Sequence, residues 1–184
     1  MKNQAGQLPS RYAQKDTMIY TENSVNELYE SNLRTAKDLL KTLPIYCGVE
    51  PKFTGLTGWV FEQTIRHCIQ KELDAMDIKI EIEEQVALIR RAKVDLKIGN
   101  TAIEIKTSGL FSRDDIAKYK TYQIEAKTKN WQYVFLSIGE TTFRTGIIEA
   151  LGRENVVLLY EYDGSWRASF GEWQRFIELI AKAI

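Results

Sequence analysis

Histidine occurs once and cysteine twice in the 184 residues. Cys47 and Cys68 build neither a disulfide framework nor a C-x-x-C metal or redox motif, so they read as free thiols in a reducing cytoplasm. His67 has no ligand-spaced companion and reads as a surface residue. No apolar run reaches the ~20 residues needed to span a bilayer, and the polar N-terminus carries no secretory signal, so no membrane partner is expected. Neither sign of charge is in excess, since 25 basic and 25 acidic residues cancel. A protein that grips nucleic acid alone usually carries a basic surplus. Either the partner is not nucleic acid, or another subunit supplies most of the grip. There is no internal repeat, low-complexity tract, domain linker, helix-turn-helix or zinc site.

What remains is an ordinary globular balance, with 44% hydrophobic and 27% charged residues, expected to form one domain over residues 1–184 behind a polar arm, residues 1–23. A capping box at Ser24 and Glu27 opens a helix to about Thr42, striped by Leu28, Ala36, Leu39, Leu40 and Leu43 and ended by Pro44. Residues 44–56 read as a loop. Thr57 is a plausible N-cap for a second helix to about Met76. On it Phe61, Ile65, Cys68, Ile69, Leu73 and Met76 share one arc at 100° per residue, and His67 lies on the opposite side. Glu62 falls inside that arc. Desolvating a carboxylate is costly, so it needs a partner: Arg66 one turn on, or a site that the helix faces.

Ile78 to Glu83 alternates as a strand, extendable through Ile89, and Arg90, Arg91 and Lys93 form a small basic cluster. Val94 to Lys106 then reads as two alternating strands around Gly99-Asn100, a two-residue hairpin turn. That turn sets Ile98 opposite Thr101, Leu96 opposite Ile103 and Asp95 opposite Glu104, with Lys93 and Lys106 on the same polar face. Val94, Leu96, Ile98, Ile103 and Ile105 make the core face. Like charges directly opposed are destabilising, so a variant lacking Asp95 is expected to be at least as stable without metal. A divalent cation would also resolve the conflict, and magnesium favours a few carboxylates together with water and phosphate oxygens. The simpler alternative is an exposed face whose lysines neutralise the acids.

Ser112 and Asp115 cap a third helix to about Lys129. Ile116, Tyr119, Gln123 and Ala126 line its buried arc, with Lys120 and Lys127 on the flank. Gln123 there is either a satisfied core amide or a site residue. Tyr133 to Ile138 reads as a strand buried on both faces. A helix from Thr142 to Leu151 follows, then a strand from Val156 to Tyr162 closed by Asp163-Gly164. Ser169 and Glu172 open a last helix striped by Trp173, Phe176, Ile177, Ile180 and Ile184.

Asp95, eight intervening residues, then Glu104-Ile105-Lys106 resembles the active-site motif of the PD-(D/E)XK nuclease superfamily, which includes most restriction endonucleases. The resemblance covers about residues 57–138 and makes Glu62 the helical acid. It departs from the pattern at Val94, where the motif has proline. It implies a restriction-endonuclease-like α/β fold: three layers, α/β/α, a central mixed sheet and the core order α-β-β-β-α-β. It further implies magnesium, replaceable by manganese, on Asp95, Glu104 and the Ile105 carbonyl, with Glu62 binding it directly or through water. Lys106 would activate the attacking water, and Gln123 would be an accessory residue. With no charge surplus and no reading module, the chain is most similar to the small cleavage subunit of heterodimeric type IIS restriction endonucleases. That implies double-stranded DNA and a larger recognition and nicking subunit as partners, in a bacterial cytoplasm. The alternatives are a stand-alone repair or Holliday-junction nuclease, and a catalytically silent binding module of the same fold.

Overall fold

The computed structural model describes residues 18–47, 55–90, 92–107, 113–138, 144–162 and 165–184. Two long helices open it, α1 (Glu22–Cys47) and α2 (Leu56–Ala75). Three strands follow, β1 (Ile82–Ile89), β2 (Ala92–Ile98) and β3 (Thr101–Lys106). Then come α3 (Arg113–Thr128), β4 (Gln132–Ser137), α4 (Arg144–Leu151) and β5 (Val156–Leu158). A two-stranded ribbon, β6 (Tyr160–Tyr162) and β7 (Trp166–Ala168), leads to α5 (Glu172–Lys182). The main sheet runs β1-β2-β3-β4-β5. Its first three strands are antiparallel, and β4 and β5 join parallel to β3. From α2 onward the order is the expected α-β-β-β-α-β.

Side-chain alternation on the central strands sorts the core into two layers. Ile103, Ile105, Val134, Leu136 and Val157 pack with buried residues of α1, α2 and α5. Ala102, Tyr133, Phe135, Val156 and Leu158 pack with Tyr119 and Ala126 of α3 and Ile147 and Leu151 of α4. The molecule is therefore mixed α/β, with helices on both faces of a five-stranded mixed sheet. No helix among the described residues is long and apolar enough to cross a membrane.

Several local expectations change. The first helix starts earlier and runs through Pro44 to Cys47. One missing N–H did not stop it. Its cap is Thr21, which trades hydrogen bonds with Ser24 in both directions, Thr21 N to Ser24 Oγ at 2.8 Å and Ser24 N to Thr21 Oγ1 at 3.3 Å. Its buried stripe is Val25, Tyr29 and Leu33, with the expected Leu28 and Ala36 partly buried against the same core, while Leu39 is exposed and the Leu43 side chain lies outside the described residues. Met18 and Tyr20, within the expected polar arm, pack against the core; residues 1–17 lie outside the described ones.

Gly55 in the left-handed region, not Thr57, caps α2. Gly171, also left-handed, caps α5, leaving Ser169 Oγ buried without a partner. The first strand begins at Ile82, so residues 78–81 are not part of it. The apolar run after Val156 breaks at Leu159 into β5 and β6, and β6 pairs with a further strand, β7. Ile184 is exposed. Arg91, Ser112, Thr142 and Asp163-Gly164 lie outside the described residues.

Candidate active site

The hairpin that carries the motif folds in the expected register, with Ile98 opposite Thr101 and Leu96 opposite Ile103. Only Gly99 of the turn takes a positive φ, 52°. A side chain there would crowd the Ala183 carbonyl oxygen, 3.2 Å from the Cβ position. The strands stop pairing at Leu96 and Ile103, one step short of Asp95 and Glu104. There the Asp95 carboxylate takes over: Ile105 N donates to Asp95 Oδ2 at 2.7 Å.

The neighbouring strand bends at the same level. Gln85 has φ of 51°, and the β1–β2 pairing skips it and Asp95, passing from Glu84 opposite Leu96 to Val86 opposite Val94. The bend carries Val94 into the α3/α4 layer with Val86 and Leu88, although alternation alone puts it with Leu96. It also leaves Gln85 Nε2 3.4 Å from Asp95 Oδ1.

The polar face of the hairpin is not a solvent face. With β2 on one side and β4 on the other, β3 is buried from Thr101 through Ile105. Glu104 is 3% exposed beneath α3. Lys106 is the cation that makes this tolerable. Its Nζ lies 2.6 Å from Glu104 Oε1 and 3.5 Å from Asp95 Oδ2, and it donates to the Ile105 carbonyl at 3.0 Å. The second Glu104 oxygen, Oε2, is buried without a hydrogen-bond partner.

Proton affinities follow from this crowding. Burial raises the Glu104 carboxyl above its ordinary value; Lys106 pulls it back and Asp95 adds to the rise. Burial pushes the Lys106 ammonium down, but Glu104 and Asp95 outweigh it and hold Lys106 above its usual range. Glu62 is pushed up to about 7, first by burial, then by Asp95, against Lys106, with Glu104 and Glu84 adding to the rise. That response places Glu62 in the field of the same cluster, at the rim of the α2 stripe and half-buried. Three acids share one close lysine.

Glu62 does not pair with Arg66, which binds Glu84 at 3.1 Å. Nor does it complete a cage: among the described residues no three His, Cys, Asp or Glu side chains group closely enough to hold a metal ion. Gln123 is partly buried, its Nε2 donating to the Leu151 carbonyl at 2.6 Å and tying α3 to the end of α4. Lys93, Lys120 and Lys127 are exposed. His67 is exposed, as expected, and Cys68 is buried, its thiol pushed up to about 12 by burial and then by Glu72.

The fully buried acid on the stripe of α2 is Glu72, not Glu62. It is 1% exposed and accepts from Ile19 N at 3.1 Å, Tyr20 N at 2.8 Å and Trp173 Nε1 at 3.1 Å. Helical spacing could have flagged it, since it sits between Cys68 and Leu73 on the same arc. Its role is to fasten the segment before α1 and the start of α5 to α2.

A cavity of about 380 Å³ lies elsewhere, beside β6, β7 and the start of α5. Its charges are matched: Glu172 takes Arg153 at 2.5 Å and Arg175 at 2.8 Å, and Glu161 stands opposite Arg167 on the ribbon. The chain matches no family model, no curated protein and no solved structure.

Proposed function

We propose that the chain is a magnesium-dependent DNA endonuclease of the PD-(D/E)XK type, with the cluster around Lys106 as its active site. One observation carries the reading. The Lys106 ammonium rests on Asp95 Oδ2, Glu104 Oε1 and the Ile105 carbonyl, the three groups that the resemblance assigns to a metal. The chain thus already gathers a cation-binding set of two carboxylates and one carbonyl, which is hard-oxygen chemistry suited to magnesium or manganese. The partnerless Glu104 Oε2 fits the same demand, because a buried carboxylate oxygen without a donor is costly.

Asp95, Glu104 and the Ile105 carbonyl would hold the metal, with Glu62 beyond them. A metal held there supplies positive charge to the scissile phosphate and lowers the pKa of a bound water. Lys106 contributes an ammonium that stays charged, to hold the attacking water or to stabilise charge developing on the phosphate. Glu62, half-buried in the field of Asp95 and Glu104, would meet the metal directly or through water. The Asp95 bond to Ile105 N ties that carboxylate to the strand carrying Glu104 and the Ile105 carbonyl.

The balanced net charge supports dependence on a larger subunit that reads the DNA and cuts the other strand. Exposed lysines of α3, among them Lys120 and Lys127, can meet a phosphate already delivered. A catalytically silent module is the second reading, favoured by the ion pairs that let Lys106 quiet the acids without a metal. The test is magnesium-dependent cleavage of plasmid DNA by the chain alone and with the protein's genomic neighbours. One-strand cleavage that appears with a partner and vanishes in D95A and K106A supports the subunit reading. Metal-independent assembly that K106A leaves unchanged favours the silent module.

A further inference from the structure

Glu104 Oε2 is not the only orphan beneath α3. The Tyr133 hydroxyl is also buried without a hydrogen-bond partner, on a residue 2% exposed. Buried polar groups are almost always satisfied, so two orphans in one small region ask for a common explanation. The sheet puts them together. Tyr133 stands beside Ala102, and Glu104 beside Phe135, in the parallel β3–β4 register. Tyr133 and Glu104 are therefore diagonal neighbours on one face of the sheet. Ala102, a methyl group, is all that stands beside the tyrosine on β3. Burial first, and then the charge of Glu104, raise the Tyr133 hydroxyl well above its ordinary value, with smaller pushes from Tyr119 and Asp95.

We infer that Tyr133 is a positioning residue for Glu104, its hydroxyl donating through one buried water to the free oxygen Oε2. A carboxylate oxygen has two lone pairs, so this bond leaves Glu104 able to serve a cation as well. Such outer partners fix the orientation of a ligating carboxylate, and their loss typically costs about ten- to a hundredfold in metal affinity. The metal part of this inference rests on the proposed function; the hydrogen bond does not.

The experiment has two readouts on four proteins: wild type, Y133F, E104Q and the double variant. Manganese binding is followed by electron paramagnetic resonance. Ultraviolet resonance Raman spectra, taken as wild type minus Y133F, isolate Tyr133 from the other eight of the nine tyrosines. The expected results are a tenfold or greater loss of manganese affinity in Y133F, no further loss when Y133F is added to E104Q, and a hydrogen-bond-donating Tyr133 signature that E104Q alters. If wild type binds manganese and Y133F matches it, with no donor signature, the inference is overturned and the metal reading stands. If wild type binds no manganese but the donor signature is present and E104Q alters it, the hydrogen bond stands and the metal reading fails. Should Y133F not fold, the difference spectrum of wild type minus E104Q takes its place: loss of one hydrogen-bond-donating tyrosine supports the bond, and unchanged tyrosine bands overturn it.

Discussion

Lys106 Nζ lies 2.6 Å from Glu104 Oε1, on the same strand two residues away, with the lysine 28% and the carboxylate 4% exposed at the side chain. Neither charge is well hydrated, so each depends on the other. Removing one partner of a buried ion pair strands the other, typically at ~3–5 kcal/mol. K106A should therefore lower the metal-free stability by about 3 kcal/mol in urea denaturation. Added manganese should return part of that loss, since ligand binding to the folded state stabilises it. K106M, which keeps the bulk, should behave alike, which separates lost charge from lost packing.

Asp95 should also prove stabilising without metal, contrary to what two opposed carboxylates suggest. Its Oδ2 takes the Ile105 N–H at 2.7 Å and faces Lys106. D95A leaves that N–H without its acceptor, at a cost of about 1–3 kcal/mol. D95N, which keeps an acceptor oxygen, should cost less. Thermal unfolding of the two variants checks the order.

The difference between those two expectations shows where the sequence stopped being informative. Register, the α2 stripe, the order of core elements and the convergence of Asp95, Glu104 and Lys106 follow from local periodicity and one two-residue turn. The burial of β3 does not, because it depends on β4 pairing with its far side. The placement of Val94 depends on a left-handed Gln85 in a different strand. Asp95 as an acceptor for Ile105 N–H requires knowing that the strands part at that level. Glu72 is the plainest case: its three donors lie 53, 52 and 101 residues away, so no window along the chain contains them.

Glu72 should accordingly be the costliest of these acids to lose. E72A leaves two backbone N–H groups and an indole N–H without their acceptor, two of the three only part-buried. The expected loss is ~3–5 kcal/mol. E72Q, which keeps one acceptor oxygen but adds an amide among donors, should fall between E72A and wild type. Denaturant titration measures both, and manganese affinity of the folded E72Q protein should equal that of wild type.

Glu62 gives a pH signature with a defined sign. Its carboxyl is raised from the ordinary 4.5 to about 7 in the folded state, so between those values the folded chain holds a proton that the unfolded chain has lost. Stability attributable to Glu62 then falls as pH rises from about 4.5 to about 7. Because the group is half-exposed, solvent screening limits the effect to about 1 kcal/mol. E62Q should flatten that part of the stability profile and be the more stable protein at pH 8. The same variant should lose cleavage while keeping the fold.

The most direct measurement is anomalous diffraction from crystals of the chain soaked in manganese. The expected result is a strong anomalous peak within bonding distance of Asp95 and Glu104 carboxylate oxygens, and a Lys106 ammonium displaced from the position it holds between them. Crystals of D95A should lack the peak. Manganese absent from wild-type crystals at saturating concentration, with Lys106 still resting on both carboxylates, would contradict the metal site and the nuclease reading built on it.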